Sequence, residues 1–196
     1  MASERHMAHR QQTGAHNPLA CSPSASPSFA EVYEQHFDFV WRSARRLGVP
    51  DASVDDVVQD TFLTVYRRLP SFERRSQLKT WVFGILRHTV SDFRRTARRK
   101  GAHQLETEPA DNTGQSPHEE ALRRQGAELL HAALGSLNDE QREVFVLAEL
   151  EQLSAPEIAQ AVEANVNTVY SRLRAARQEF EVALKRIRTR DEWRTR

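Results

Sequence analysis

The sequence predicts an all-α protein built as two small helical domains joined by a flexible acidic linker. Three observations predict it. Apolar residues recur at helical spacing over two long stretches, and no segment alternates with period two for long enough to form a strand. Capping signatures and Gly or Pro stops punctuate those stretches. Charge is blocked along the chain although the net charge is only +1. Residues 71–100 carry nine bases against two acids, residues 101–122 five acids and no base, and residues 165–196 nine bases against four acids. Two basic blocks around an acidic connector suggest two polyanion-binding surfaces.

Bulk composition narrows the class. With 39% apolar and 28% charged residues, 196 residues suit two small cores better than one large one. No apolar run approaches the ~18–20 residues of a membrane span, and the N-terminus lacks the apolar centre of a signal peptide. No membrane insertion is therefore expected. The single cysteine, Cys21, has no internal partner, which fits a reducing cytoplasm. His6, His9 and His16 share no helix face and meet no second ligand cluster, so neither metal nor cofactor is expected.

Residues 1–27 are rich in Ser, Pro, Ala, His and Gln without periodicity, and read as a disordered tail. Order begins at Ser28, whose spacing to Glu31 is a capping box. Phe29, Val32, Phe37, Val40, Ala44 and Leu47 carry the first helix to Gly48 and Pro50. A second helix is expected from Ser53 to Leu69, ahead of Pro70. A polar loop, SFERRSQ, leads into a long helix from Leu78 to Lys100. Residues 101–122 are the linker by composition, followed by helices over 119–134, 138–150, 154–162 and 167–187, and a basic tail over 188–196.

The stretch LSAPEIAQAVEANVNTVYSRLRAAR carries a helix-turn-helix, placing the motif in the C-terminal domain (123–187). Ser154 with Glu157 caps a short helix, Pro156 fits its first turn, and Ile158, Ala159 and Val162 face inward. Asn167 is read as the cap of the following helix, and Asn165 as the left-handed residue of a turn without glycine. On that helix Val169, Leu173, Ala176, Phe180, Leu184 and Ile187 form one apolar stripe. Asn167, Thr168, Tyr170, Ser171, Arg172, Arg174 and Arg177 lie opposite or on its flanks. Short polar groups and arginines on the first turns of such a helix suit base edges and phosphates in a major groove.

In the N-terminal half, DDVVQDTF places three carboxylates within six residues, which raises the alternative of a metal-dependent enzyme. A helical wheel divides them. Val54, Val58, Thr61, Val65 and Leu69 face a core and Asp55 sits on a flank, so only Asp56 and Asp60 share a face, beside Gln59 and an outward Leu63. A lone leucine among Asp and Gln suits protein docking better than metal binding. Downstream, Phe72, Trp81, Phe83 and Phe93 lie among nine bases, a combination suited to holding a displaced single strand with an unstacked base in a pocket. A stand-alone helix-turn-helix regulator would explain the C-terminal half alone.

DDVVQDTFLTVYRRLPSF, WVFGILRHTVSDFRR and REVFVLAELEQLSAPEIAQAVEANVNTVYSRLRAAR, in that order, resemble the extracytoplasmic-function sigma factors of bacterial RNA polymerase, over about residues 28–100 and 125–187. The resemblance implies a non-enzymatic, cytoplasmic transcription initiation factor, nucleoid-associated when bound to polymerase. Residues 28–100 would read and melt the −10 element, with the loop Ser71–Thr80 capturing a flipped base. Asp56, Gln59, Asp60 and Leu63 would dock on the clamp helices of the β′ subunit. The −10 contacts it implies are Phe72, Arg74, Arg75, Lys79, Trp81, Arg87, His88, Asp92 and Arg95. Residues 125–187 would bind the −35 duplex beside the β flap, and an anti-sigma factor is a further implied partner. Two departures stand out: His88 occupies a position where the family commonly has Asn, and the turn lacks the usual Gly.

Overall fold

A computed structural model describes residues 27–99 and 117–194, and every described element is helical. The helices are α1 (Phe29–Arg46), α2 (Asp51–Arg68), α3 (Leu78–Arg99), α4 (Pro117–Gly135), α5 (Asp139–Phe145), α6 (Ala155–Ala161) and α7 (Val166–Arg194). A 3-10 turn, Leu69–Ser71, follows α2, and a π turn, Val146–Leu150, extends α5. The histidines and cysteine of the expected tail lie outside the described residues, as do residues 100–116.

Local chemistry sets most boundaries. The Glu31 carboxylate accepts from the Ser28 backbone N–H at 2.7 Å, and this bond holds its pKa below the ordinary value. α1 stops at Gly48 (φ +88°), with the Gly48 and Val49 N–H groups returning to Arg45 and Ala44. Asn138 caps α5, accepting from the Gln141 N–H at 2.9 Å.

Four boundaries differ from expectation. α2 begins at Asp51, directly after Pro50, which leaves Ser53 inside the helix rather than capping it. Residues 117–122, read as linker, are helical. α7 starts one residue before Asn167, and it is Asn165 that caps it, Oδ1 accepting from the Thr168 N–H at 2.7 Å. α7 also continues to Arg194, through most of the expected basic tail.

α1, α2 and α3 pack as one helical unit, and α4 to α7 as a second. The apolar stripes read from the sequence are buried: Val32, Val40, Ala44 and Leu47 on α1, Val54, Val58 and Val65 on α2, Val169, Leu173 and Ala176 on α7. The two units also pack on each other. α3 lies against α6, and one buried apolar cluster runs from Val32 to Ala176 across both. α3 meets α6 at Gly84, where a Cβ would sit at an ordinary contact distance, 3.6 Å, from the Ala161 carbonyl oxygen and a longer side chain would meet α6. Arg142 ties the junction together, donating to the carbonyls of Leu134 (2.8 Å), Gly135 (3.3 Å) and Leu137 (3.1 Å) and across to Leu47 (3.1 Å). Its guanidinium occupies the space that a side chain at position 48 would need.

Candidate docking and nucleic-acid surfaces

The outward face of α2 is built by helical periodicity. Buried Val57, Val58, Thr61, Phe62 and Val65 turn Asp56, Gln59, Asp60 and Leu63 to solvent. Thr61 satisfies its buried hydroxyl by donating to the Val57 carbonyl at 2.7 Å. Leu63 is 45% exposed, far more than a leucine with a core to join. Asp55 is drawn aside as its wheel position requires, accepting from the Trp41 indole N–H at 3.2 Å. The carboxylates do not converge, and no group of three or more His, Cys, Asp or Glu side chains among the described residues is arranged to hold a metal ion. Tyr66, one turn beyond Leu63, is 62% exposed and braced edge-on by Phe29 at 5.2 Å. Sequence reasoning passed over it because a tyrosine on a helix reads as half-buried packing.

The predicted single-strand surface divides into two faces of α3. On the first, Trp81 packs against Phe72 with ring centres 4.9 Å apart and planes tilted by 41°, and His88, Asp92 and Arg95 lie exposed. His88 and Asp92 help line a polar cavity of about 350 Å³ between α2 and α3, together with Thr64, Arg68, Ile85 and Thr89. Thr64 and Arg68 were missed because they belong to a different helix, and only the α2–α3 packing brings them here. His88 also meets Glu163 at 3.2 Å, and Arg95 pairs with Asp92 at 2.7 Å. In the preceding loop Arg74 and Arg75 are exposed, Arg74 in left-handed backbone (φ 56°) and Arg75 paired with Glu73 at 2.5 Å.

The second face of α3 carries Lys79 and Arg87 and is covered by the C-terminal unit. Lys79 Nζ lies 2.9 Å from Glu151 Oε2, and the other oxygen of that carboxylate takes Arg46 of α1 at 2.7 Å. Arg87 pairs with Glu143 at 2.8 Å. Burial pushes the Glu143 pKa up, and the Arg87 charge opposes that rise. Farther along, Arg94 reaches Asp139 at 2.9 Å and also bonds the Leu47 carbonyl, so the basic end of α3 is not wholly solvated.

In the helix-turn-helix, Glu157 accepts from the Ser154 N–H at 2.8 Å, as the capping box requires. The left-handed turn residue is Glu163 (φ 53°), not Asn165. Asn167, Tyr170, Ser171, Arg174 and Arg177 are exposed on the first turns of α7, with Tyr170 at 58%. Thr168 is half-buried at the cap, and the Ser171 hydroxyl donates to its carbonyl at 2.9 Å. Arg172 turns toward α5 and pairs with Glu140 at 2.7 Å, and Arg177 pairs with Glu149 at 2.6 Å. Arg174 forms no ion pair with another described residue.

Residues 32–100 match the sigma-70 region 2 family, and residues 127–180 match sigma-70 region 4. The RNA polymerase sigma factor NccH of Alcaligenes xylosoxydans xylosoxydans is 28% identical over 80% of this chain and 87% of its own. The RNA polymerase sigma factor CnrH of Cupriavidus metallidurans is 30% identical over 80% of this chain and 86% of its own. The structure of CnrH in complex with the cytosolic domain of CnrY superposes with a TM-score of 0.59 at 28% identity, over 80% of this chain and 87% of that one. The sigma factor RpoE of Bartonella quintana, solved with the anti-sigma factor NepR, shares the fold, with a TM-score of 0.64 at 24% identity over 80% of this chain and 96% of that one. No described helix is long and apolar enough to cross a membrane. With both family regions in order on an all-helical fold that carries a helix-turn-helix, this chain belongs to the extracytoplasmic-function group of sigma-70 factors, the promoter-specific initiation factors of RNA polymerase.

Proposed function

We propose that the factor works through three surfaces. Asp56, Gln59, Asp60 and Leu63 dock on the β′ clamp helices of core polymerase. Phe72, Trp81, His88, Asp92 and Arg95, with Arg74, Arg75, Lys79 and Arg87, take the −10 non-template strand. Asn167, Thr168, Tyr170, Ser171, Arg174 and Arg177 read the −35 duplex beside the β flap, and Arg172 joins them once released from Glu140. The observation that carries the docking role is the exposed Leu63 beside the exposed side chains of Asp56, Gln59 and Asp60. Support for base capture comes from the polar cavity between α2 and α3, where Thr64, Arg68, His88, Thr89 and Asp92 offer a flipped base hydrogen-bonding walls.

In this reading the factor is not a catalyst. It separates strands by trapping unstacked bases with binding energy, works in the cytoplasm and associates with the nucleoid through polymerase. A protein that holds it inactive, as an anti-sigma factor would, belongs to the same proposal. Its support is that CnrH was solved in complex with the cytosolic domain of CnrY.

In vitro transcription with core polymerase on a promoter library tests the reading. Wild-type factor is expected to give transcripts from a defined promoter set with shared −35 and −10 sequences. Transcription that is indifferent to promoter sequence, or unaltered by Leu63→Asp, would sink it.

A further inference from the structure

Both DNA-facing surfaces are held by one short segment. Between positions 139 and 151 the chain carries five acids, Asp139, Glu140, Glu143, Glu149 and Glu151. Every one is paired with a cation of a promoter-binding surface or its immediate extension. Asp139 takes Arg94, Glu143 takes Arg87 and Glu151 takes Lys79 together with Arg46, all across the junction between the two units. Glu140 and Glu149 take Arg172 and Arg177 of the recognition helix. The one base of the segment, Arg142, is directed at backbone carbonyls and neutralises none of the five directly. An ordinary solvated helix mixes its charges with its own neighbours at i and i+4. Here each carboxylate instead reaches a cation outside the segment.

Carboxylates and phosphates compete for the same guanidinium and ammonium groups. We propose that the segment Asp139–Glu151 is an internal phosphate surrogate: it clasps the −10-reading cations of α3 across the junction and pairs with arginines of α7 within its own unit, and single-stranded DNA gains the α3 cations only when the clasp opens. The proposal rests on the assignment of Lys79 and Arg87 to DNA made above. Individually such ion pairs are weak. Their effect is to make DNA binding and the closed arrangement mutually exclusive at the same atoms. The packing of α3 on α6 is the second restraint on the closed arrangement, beside the ion pairs.

The full-length chain tests this with two variants of different kind. Glu143→Gln with Glu151→Gln removes surrogate charge while keeping shape. Gly84→Leu wedges α3 from α6 and leaves every charge in place. Helical circular dichroism establishes that each is folded, small-angle X-ray scattering reports the radius of gyration, and a short fluorescein-labelled single-stranded DNA of mixed sequence reports affinity. Both variants are expected to expand and to bind the DNA about 5-fold or more tighter than wild type. The proposal is overturned if the double Gln variant stays as compact as wild type, or if either variant expands without a gain in affinity. Adding Lys79→Ala and Arg87→Ala to Gly84→Leu tests the underlying assignment separately. An unchanged affinity there removes these two residues from the DNA surface, whereas an unexpanded double Gln variant removes the clasp.

Discussion

The outward stripe of α2 and the inward stripe of α3 contrast in what the rest of the chain does with them. Asp56, Gln59, Asp60 and Leu63 are exposed among the described residues. Lys79, Arg87 and Arg94 are equally polar, yet each meets an acid of the C-terminal unit. The difference indicates an order of events. A surface that is bare in the closed molecule can meet its partner first, and a surface already neutralised waits for a rearrangement. With the roles proposed for the two stripes, polymerase docking would come ahead of strand capture.

The largest break in that comparison comes from Leu63→Asp. Loss of a central apolar anchor is expected to weaken core-polymerase binding by at least ~2 kcal/mol, roughly 30-fold, with no change in thermal stability. Surface plasmon resonance against core enzyme, paired with calorimetry, checks both halves of the statement. Removing the guanidinium at the junction acts the other way: Arg142→Met leaves carbonyls of Leu47, Leu134 and Leu137 without their donor and should cost roughly 2–3 kcal/mol of stability in denaturant titration. On α7, Arg174→Ala should weaken −35 duplex binding by ~1–3 kcal/mol if it reads a base edge, measured by anisotropy on promoter duplexes against a scrambled control. Asn165→Ala removes the α7 cap and should lower stability by about 1 kcal/mol.

The smallest effect is in pH. Burial, reinforced by the nearby Arg45 and Arg142 charges, lowers the His131 pKa below its ordinary 6.5. With the folded-state value below the unfolded one, the unfolded chain binds the proton first. Stability should fall as pH drops from about 6.5 toward the lowered value and change no further below it. His131→Gln should flatten that part of the stability profile, read by thermal melts across the range. His36, lowered by burial and by Lys79, contributes with the same sign and remains in the variant.

Most of this architecture was legible because helical patterning is local. The Ser28 and Ser154 capping boxes, the stop at Gly48 and the apolar stripes of α1, α2 and α7 follow from spacing alone. Leu63 was legible for the same reason, since a wheel separates its face from Val58 and Val65. What escaped depends on contacts distant in sequence. Phe83, Leu86 and Val90 are fully buried because α3 is covered by α1 and α2 and again by α6, and no single stripe announces that. Arg172 looked like a groove-facing arginine until α5 brought Glu140 beside it. The helix-turn-helix cap moved from Asn167 to Asn165 because two asparagines two positions apart both satisfy the capping rule, and the left-handed residue at Glu163 sets the entry to the helix. Arg68 and Thr64 joined the cavity through packing of α2 on α3.

The ordering inferred from the two stripes has one direct measurement. A fluorescent −10 non-template strand, taken from a promoter that the factor selects in transcription, is titrated with the free chain and then with the factor assembled on core polymerase. The account predicts tight binding by the assembled factor and binding at least about 5-fold weaker by the free chain. Equal affinity in the two titrations would contradict it.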